Sequence, residues 1–131
     1  MTNDTVNTVC GPVNIDELGV TLMHEHLLIA YPGWEADTRC PVVEEADIVR
    51  LCVDKVRQMQ EHGIRSMLDP CPNDLGRDVR LAAQVAEKTG FNIICATGLY
   101  KEDEGGAAYW HFTRSLGRGV EAMAELFIGE L

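Results

Sequence analysis

"GVTLMHEHLLIA", residues Gly19 to Ala30, is an apolar run interrupted by two histidines that flank one glutamate. Its length and β-branched start suit a buried strand, and in a strand residues two apart project from the same face. His24 and His26 would then point together while Glu25 points away; on a helix the pair would diverge. Two imidazoles side by side can chelate one divalent ion through nitrogens at roughly 2.0–2.1 Å and leave room for further ligands and a water. The competing reading of an isolated H-x-H is a pair of hydrogen-bonded core histidines. Two details favour metal. Unpaired imidazoles in an apolar strand are costly, and the Pro/Gly-containing loop "YPGWEADTRCP" that follows puts the pair near the carboxyl end of its strand, where α/β active sites gather.

Working outward, "VNTV" ahead of "CGPVN" predicts a short strand and a turn within Thr5 to Asn14. From Val42 to His62, Ile48, Cys52, Val56 and Met59 fall on one helical stripe while Asp54, Lys55, Arg57 and Glu61 face water. Gly63 is the expected residue just past the helix end. "IRSMLDP" reads as a second strand stopped by Pro70. A second helix is predicted to start at Asn73 or Asp74 as cap and to run to Gly90, with Val79, Ala82, Ala83 and Ala86 as its inner stripe. "FNIICATGLY" reads as a third strand, nearly continuous in apolar residues as when both faces are covered. A long polar loop follows, then a third helix in "GVEAMAELFIGEL". Alternating strands and helices make the class α/β with parallel strands. Such an order is either a small open sheet or the opening of a (β/α)8 barrel, which usually needs about 250 residues.

The chain has 131 residues, 46% hydrophobic and 24% charged, which fits a folded globular domain. Eleven Lys plus Arg against 21 Asp plus Glu give a net charge of −10, a field that repels phosphates and anionic headgroups, so neither nucleic acid nor a membrane is an expected partner. The five cysteines are widely spaced with no C-x-x-C pair, as expected of reduced thiols. "MTNDTVNTVCGPVN" shows neither a signal nor a transit pattern, and no apolar run approaches the roughly 20 residues that cross a bilayer; the expected compartment is the cytoplasm. Nucleotide binding lacks a G-x-G-x-x-G, and "KEDEGG" (Lys101 to Gly106) lacks the order of a calcium loop and reads as solvated. Trp34, Tyr109 and Trp110 sit in loops after strands one and three, as pocket lining or as loop packing. His62 falls at a helix end, where an imidazolium complements the dipole, and His111 has no ligand spacing. Cys71 and Cys95 read as small buried residues.

The block "VNTVCGPVNIDELGVTLMHEHLLI", with "LGRD" at Leu75 to Asp78 and "ATGLY" at Ala96 to Tyr100, resembles the N-terminus of the phosphotriesterase family of the amidohydrolase superfamily, which includes phosphotriesterase-like lactonases. The resemblance covers nearly all of the chain. It implies the N-terminal part of a (β/α)8 TIM barrel, with residues 1–131 a single incomplete domain, and a binuclear metal centre, commonly zinc. It implies that His24 and His26 bind the more buried metal and that Tyr100, beside the centre, helps to shape the substrate pocket. Asp69 matches an aspartate common at the end of strand two, for which a helix-capping or loop-bracing carboxylate is the preferred reading. The implied reaction is attack by a metal-held hydroxide on a lactone, ester or phosphotriester; no side-chain nucleophile is required, and no G-x-S-x-G elbow is present. Such enzymes add a carboxylated lysine, two histidines and an aspartate from strands four to eight, all beyond Leu131. The chain alone is therefore expected to be inactive, and the full-length protein to form a homodimer, as relatives often do. Two alternatives stand beside this: a deoxyribonuclease barrel that also opens with H-x-H, disfavoured by the charge, and a non-catalytic assembly module or incomplete fragment that exposes a sheet edge and apolar helix backs.

Overall fold

The computed structural model describes residues 4–31, 33–101 and 108–130. Of the "KEDEGG" segment, only Lys101 is among them. The chain opens with an antiparallel hairpin of β1 (Thr5–Thr8) and β2 (Gly11–Asn14), paired from Thr5↔Asn14 to Thr8↔Gly11. The predicted strand and turn are thus two short strands. The Val9 N–H, at the hairpin tip, donates to the Ile93 carbonyl at 2.9 Å and ties the hairpin to the main sheet.

That sheet is three parallel strands in the order β3 (Val20–Leu22), β4 (Ile64–Asp69) and β5 (Asn92–Cys95). Helix α1 (Glu45–Glu61) connects β3 to β4, and α2 (Val79–Thr89) connects β4 to β5. Both helices press one face onto the sheet. Val49, Cys52, Val53 and Val56 of α1 meet Leu81, Ala82, Val85 and Ala86 of α2 over Met67, Phe91 and Ile93. Burying each of the larger side chains contributes about 1.5–3 kcal/mol.

Two details of the helices differ from the sequence expectation. In α1 the buried stripe is rotated towards Val49 and Val53, and the expected Ile48 and Met59 flank it half-buried. In α2 the cap is Asp78 rather than Asn73 or Asp74: its carboxylate accepts from the Leu81 N–H at 2.9 Å. Asn73–Leu75 instead form a separate single turn closed by Gly76 in the left-handed region. With the helix starting later, Leu81 and Val85 take core positions, Val79 is 44% exposed and Ala83 is only half-buried. Asp78→Ala is expected to cost about 1 kcal/mol, the usual worth of an N-cap, measurable as a lower urea midpoint with an unchanged slope.

Part of the predicted polar loop is helical. After the undescribed residues 102–107, α3 (Ala108–Ser115) precedes α4 (Val120–Glu130), making four α-helices among the described residues rather than three. Trp110 is the sole buried residue of α3, packed edge-on to Phe127 with ring centroids 6.0 Å apart. One anchor in eight residues leaves no apolar period to read. Arg77 clamps α4 to the sheet end: its guanidinium donates to the Ala96 carbonyl at 2.7 Å and pairs with the Glu130 carboxylate, which holds that carboxyl below its usual range. Among the described residues no helix is long and apolar enough to cross a membrane.

Candidate functional site

β3 stops at Leu22, earlier than the sequence predicts, but the chain stays beside β4, since the Glu25 N–H donates to the Leu68 carbonyl at 3.2 Å. Asp69, the last residue of β4, is only 6% exposed. One of its carboxylate oxygens accepts from the Leu27 N–H at 3.2 Å and the other from the Cys71 N–H at 3.0 Å. One side chain thereby ties the segment after β3 to the loop after β4. Asp69 braces the two loops, one of the two structural roles expected from sequence.

This bracing holds the histidines next to one another. The His24 and His26 rings lie with centroids 5.1 Å apart and planes at 83°, on the carboxyl side of the sheet. His24 is exposed and His26 half-buried. His26 Nδ1 is 2.9 Å from Cys71 Sγ and 3.5 Å from an Asp69 oxygen. Cys71 Sγ is also 3.2 Å from the Leu28 carbonyl. The thiol has one hydrogen, and the carbonyl can only accept; spent there, it leaves Nδ1 as the donor to sulfur and carboxylate. Nε2 then carries the lone pair. A ring nitrogen donating to a carboxylate while the other faces a cation is the usual arrangement behind a metal-binding histidine.

His26, Asp69 and Cys71 place one donor atom each within 4.8 Å of one another. Burial, and after it the charge of Asp69, pushes the Cys71 thiol up to about 12, so it stays protonated at neutral pH. Asp69 already accepts two backbone hydrogens. These two residues therefore suit the orientation of His26 better than ligation. Burial likewise pushes Cys95 up to about 11, and neither thiol is an activated nucleophile. Cys10 and Cys40 are exposed, and iodoacetamide at pH 8 is expected to modify these two while sparing Cys52, Cys71 and Cys95, countable by intact-mass spectrometry.

The other two histidines stay apart from this pair. His62 precedes the amino end of β4, the opposite end of the sheet from His26, and His111 lies exposed on α3. Tyr100 follows β5, and its backbone N–H donates to Asp74 Oδ1 at 2.9 Å. Its ring meets Tyr31 edge-on at 6.3 Å, so the loops after β3, β4 and β5 converge. Between them is a recess of about 300 Å³ whose lining includes Tyr31, Trp34, Asp74 and Tyr109. Trp110 is not part of it and serves packing. Sequence reasoning missed Asp74, taken for a helix cap; its burial to 6% exposure comes from the convergence of three loops, for which the local sequence has no signal.

The sequence profile of the Phosphotriesterase family matches residues 4–131. The chain belongs to the phosphotriesterase family. It is 30% identical to a phosphotriesterase homology protein of Mycobacterium tuberculosis, over 96% of this chain and 39% of that protein. It is 29% identical to an aryldialkylphosphatase of Saccharolobus solfataricus, over 88% of this chain and 34% of that one. Among solved structures, the organophosphorus hydrolase from Deinococcus radiodurans superposes with a TM-score of 0.84 at 38% identity, over 92% of this chain and 36% of that chain. The chain thus spans well under half the length of these relatives. Its three parallel strands and their helices are the opening part of a TIM barrel, as the resemblance implied.

Proposed function

We propose that the chain contributes two metal ligands, His24 and His26, to a zinc-dependent hydrolase that acts on a lactone, ester or phosphotriester. The observation that carries this reading is the adjacency of the two rings, 5.1 Å apart, with His26 Nδ1 turned to Asp69 and Cys71. When bound, the metal supplies a water activated at neutral pH and a Lewis acid for the electrophilic oxygen. The residues of this chain hold and aim the imidazoles: Asp69 and Cys71 fix one ring, and pairing of Glu25 with Leu68 fixes the segment. Tyr100 borders the substrate, placed by its N–H on Asp74. The remaining ligands are expected from later strands of the barrel, so these 131 residues are expected to be inactive alone. The substrate is a small molecule rather than a polyanion, given the net charge of −10; the compartment we infer is the cytoplasm, and the full barrel is expected to form a homodimer.

Zinc titration of the protein by calorimetry, with metal content after dialysis read by atomic emission, tests the proposal. Saturable binding that disappears in the His24→Ala, His26→Ala double variant supports it; identical uptake by both proteins overturns it. Assays of a protein carrying the later strands against a lactone, an aryl ester and a phosphotriester then select the substrate class.

A second reading, an assembly module without catalysis, has its own observation. Val20 on β3 is 62% exposed, Met23 just after it 69%, and Leu51 on α1 60%, an apolar margin along a sheet edge. Light scattering that gives a monodisperse monomer at high concentration counts against it.

A further inference from the structure

The histidine pair follows directly on an outer strand of the sheet. β3 stands at one end of the order β3, β4, β5 and pairs with β4 alone among the described residues. Val20 on that strand and Met23, one residue before His24, are mostly exposed. His24 itself is exposed. An ion held by His24 and His26 is therefore within reach of a second molecule.

The number of donors decides what that molecule is. Zinc in a closed site takes four ligands, and imidazole nitrogens suit it well. One chain brings two imidazoles together. The polar groups around them are engaged elsewhere: Asp69 accepts two backbone hydrogens, Cys71 Sγ lies against His26 Nδ1 and the Leu28 carbonyl, and one Glu25 oxygen accepts the His26 N–H at 3.0 Å. Among the described residues, the cluster of three potential donors is His26, Asp69 and Cys71, and His24 is not in it. Two places on the ion are thus left to water or to donors from outside. A second copy of the chain brings the donors best suited to them. A two-fold axis uses the same patch on both molecules, so an ion on that axis receives four imidazoles.

The charge makes such a pairing depend on the metal. Each chain carries −10, and two copies without metal repel one another. A divalent ion in the joint offsets that repulsion, and closing the joint covers the apolar margin of β3, which an unpaired strand otherwise leaves open to water. We propose that one zinc ion joins two copies of this 131-residue chain through His24 and His26 of each, with Val20 and Met23 covered in the joint. The proposal rests on the reading of the two histidines as ligands. It concerns this chain by itself, without the ligands expected from later barrel strands.

Sedimentation velocity through a zinc chloride titration, in a buffer that does not bind zinc, is the test. A monomer is expected without metal, then a doubling of mass that is complete at one zinc per two chains and reversed by EDTA. His24→Ala, at an exposed position that does not threaten the fold, should abolish the zinc-dependent dimer. Met23→Glu puts like charges into the joint at another exposed position and should weaken zinc-dependent dimerisation by roughly tenfold or more. Uptake of one zinc per chain with the mass unchanged overturns the shared ion and leaves His24 and His26 as ligands. No uptake of zinc overturns the ligand reading together with the shared ion. A dimer that forms equally well without zinc, or that is undiminished in His24→Ala or Met23→Glu, overturns the proposal as well.

Discussion

His26→Ala is expected to lower zinc affinity by a hundredfold or more and to leave the barrel segment folded. What the ring gives to the metal is separable from what it gives to the fold. His26 Nδ1 contacts Cys71 and Asp69, but Asp69 keeps both of its backbone donors, Leu27 and Cys71, without it. The brace therefore survives, and with the side chain 23% exposed the cavity opens to water. His24→Ala should remove metal at still smaller cost to stability, because that ring is exposed. Asp69→Asn provides the contrast. Loss of a group that orients a ligand lowers metal affinity by about 10–100-fold, but here the same carboxylate also ties two loops, so stability falls as well. Calorimetric zinc titration beside urea denaturation of the three variants resolves these patterns. A His26→Ala protein that keeps its zinc affinity would remove the basis of the hydrolase proposal.

The parts of this molecule legible in the sequence are those set by local periodicity. α1, β4 and β5 lie where spacing puts them, because their inner faces repeat along the chain: Val56, Met67 and Ile93 are wholly buried. The two histidine rings do lie near one another, but not as residues of one strand, since β3 ends at Leu22 and His24 sits in a bend. The misreadings have a common cause, which is that a local signal was overridden by a partner distant in sequence. The segment past β3, expected as strand, is instead held by Asp69, 42 residues away from Leu27, which takes its N–H. The start of α2 moved to Asp78 because Asn73 and Asp74 belong to a turn facing the loops after β3 and β5. α3 depends on one contact, Trp110 with Phe127 of α4. For the site, the sequence points to the imidazoles but not to Cys71, whose contact with His26 spans 45 residues, nor to the buried carboxyl of Asp74.

Gly76→Ala is expected to be the most damaging single methyl addition in the loops around the site, at about 3 kcal/mol or more. Two separate penalties combine. Gly76 has φ 81°, where an L residue is strained, and that alone costs about 1 kcal/mol or somewhat more. The added carbon would also sit 2.6 Å from Ala30 Cβ, 2.7 Å from Ala30 N and 2.9 Å from Ala30 O. Backbone cannot swing aside as a long side chain can, and the Ala30 N–H is itself bonded to the Leu75 carbonyl at 3.2 Å. Relief of the collision must therefore push the loop carrying Tyr31 away from the turn carrying Asp74. Gly63→Ala is the control: φ is 80° there too, but nothing lies within 4 Å of the added carbon. The difference between the two variants in urea denaturation isolates the collision from the strain. Equal losses would mean that the Ala30 loop yields freely and that the recess between Tyr31 and Asp74 lacks fixed walls.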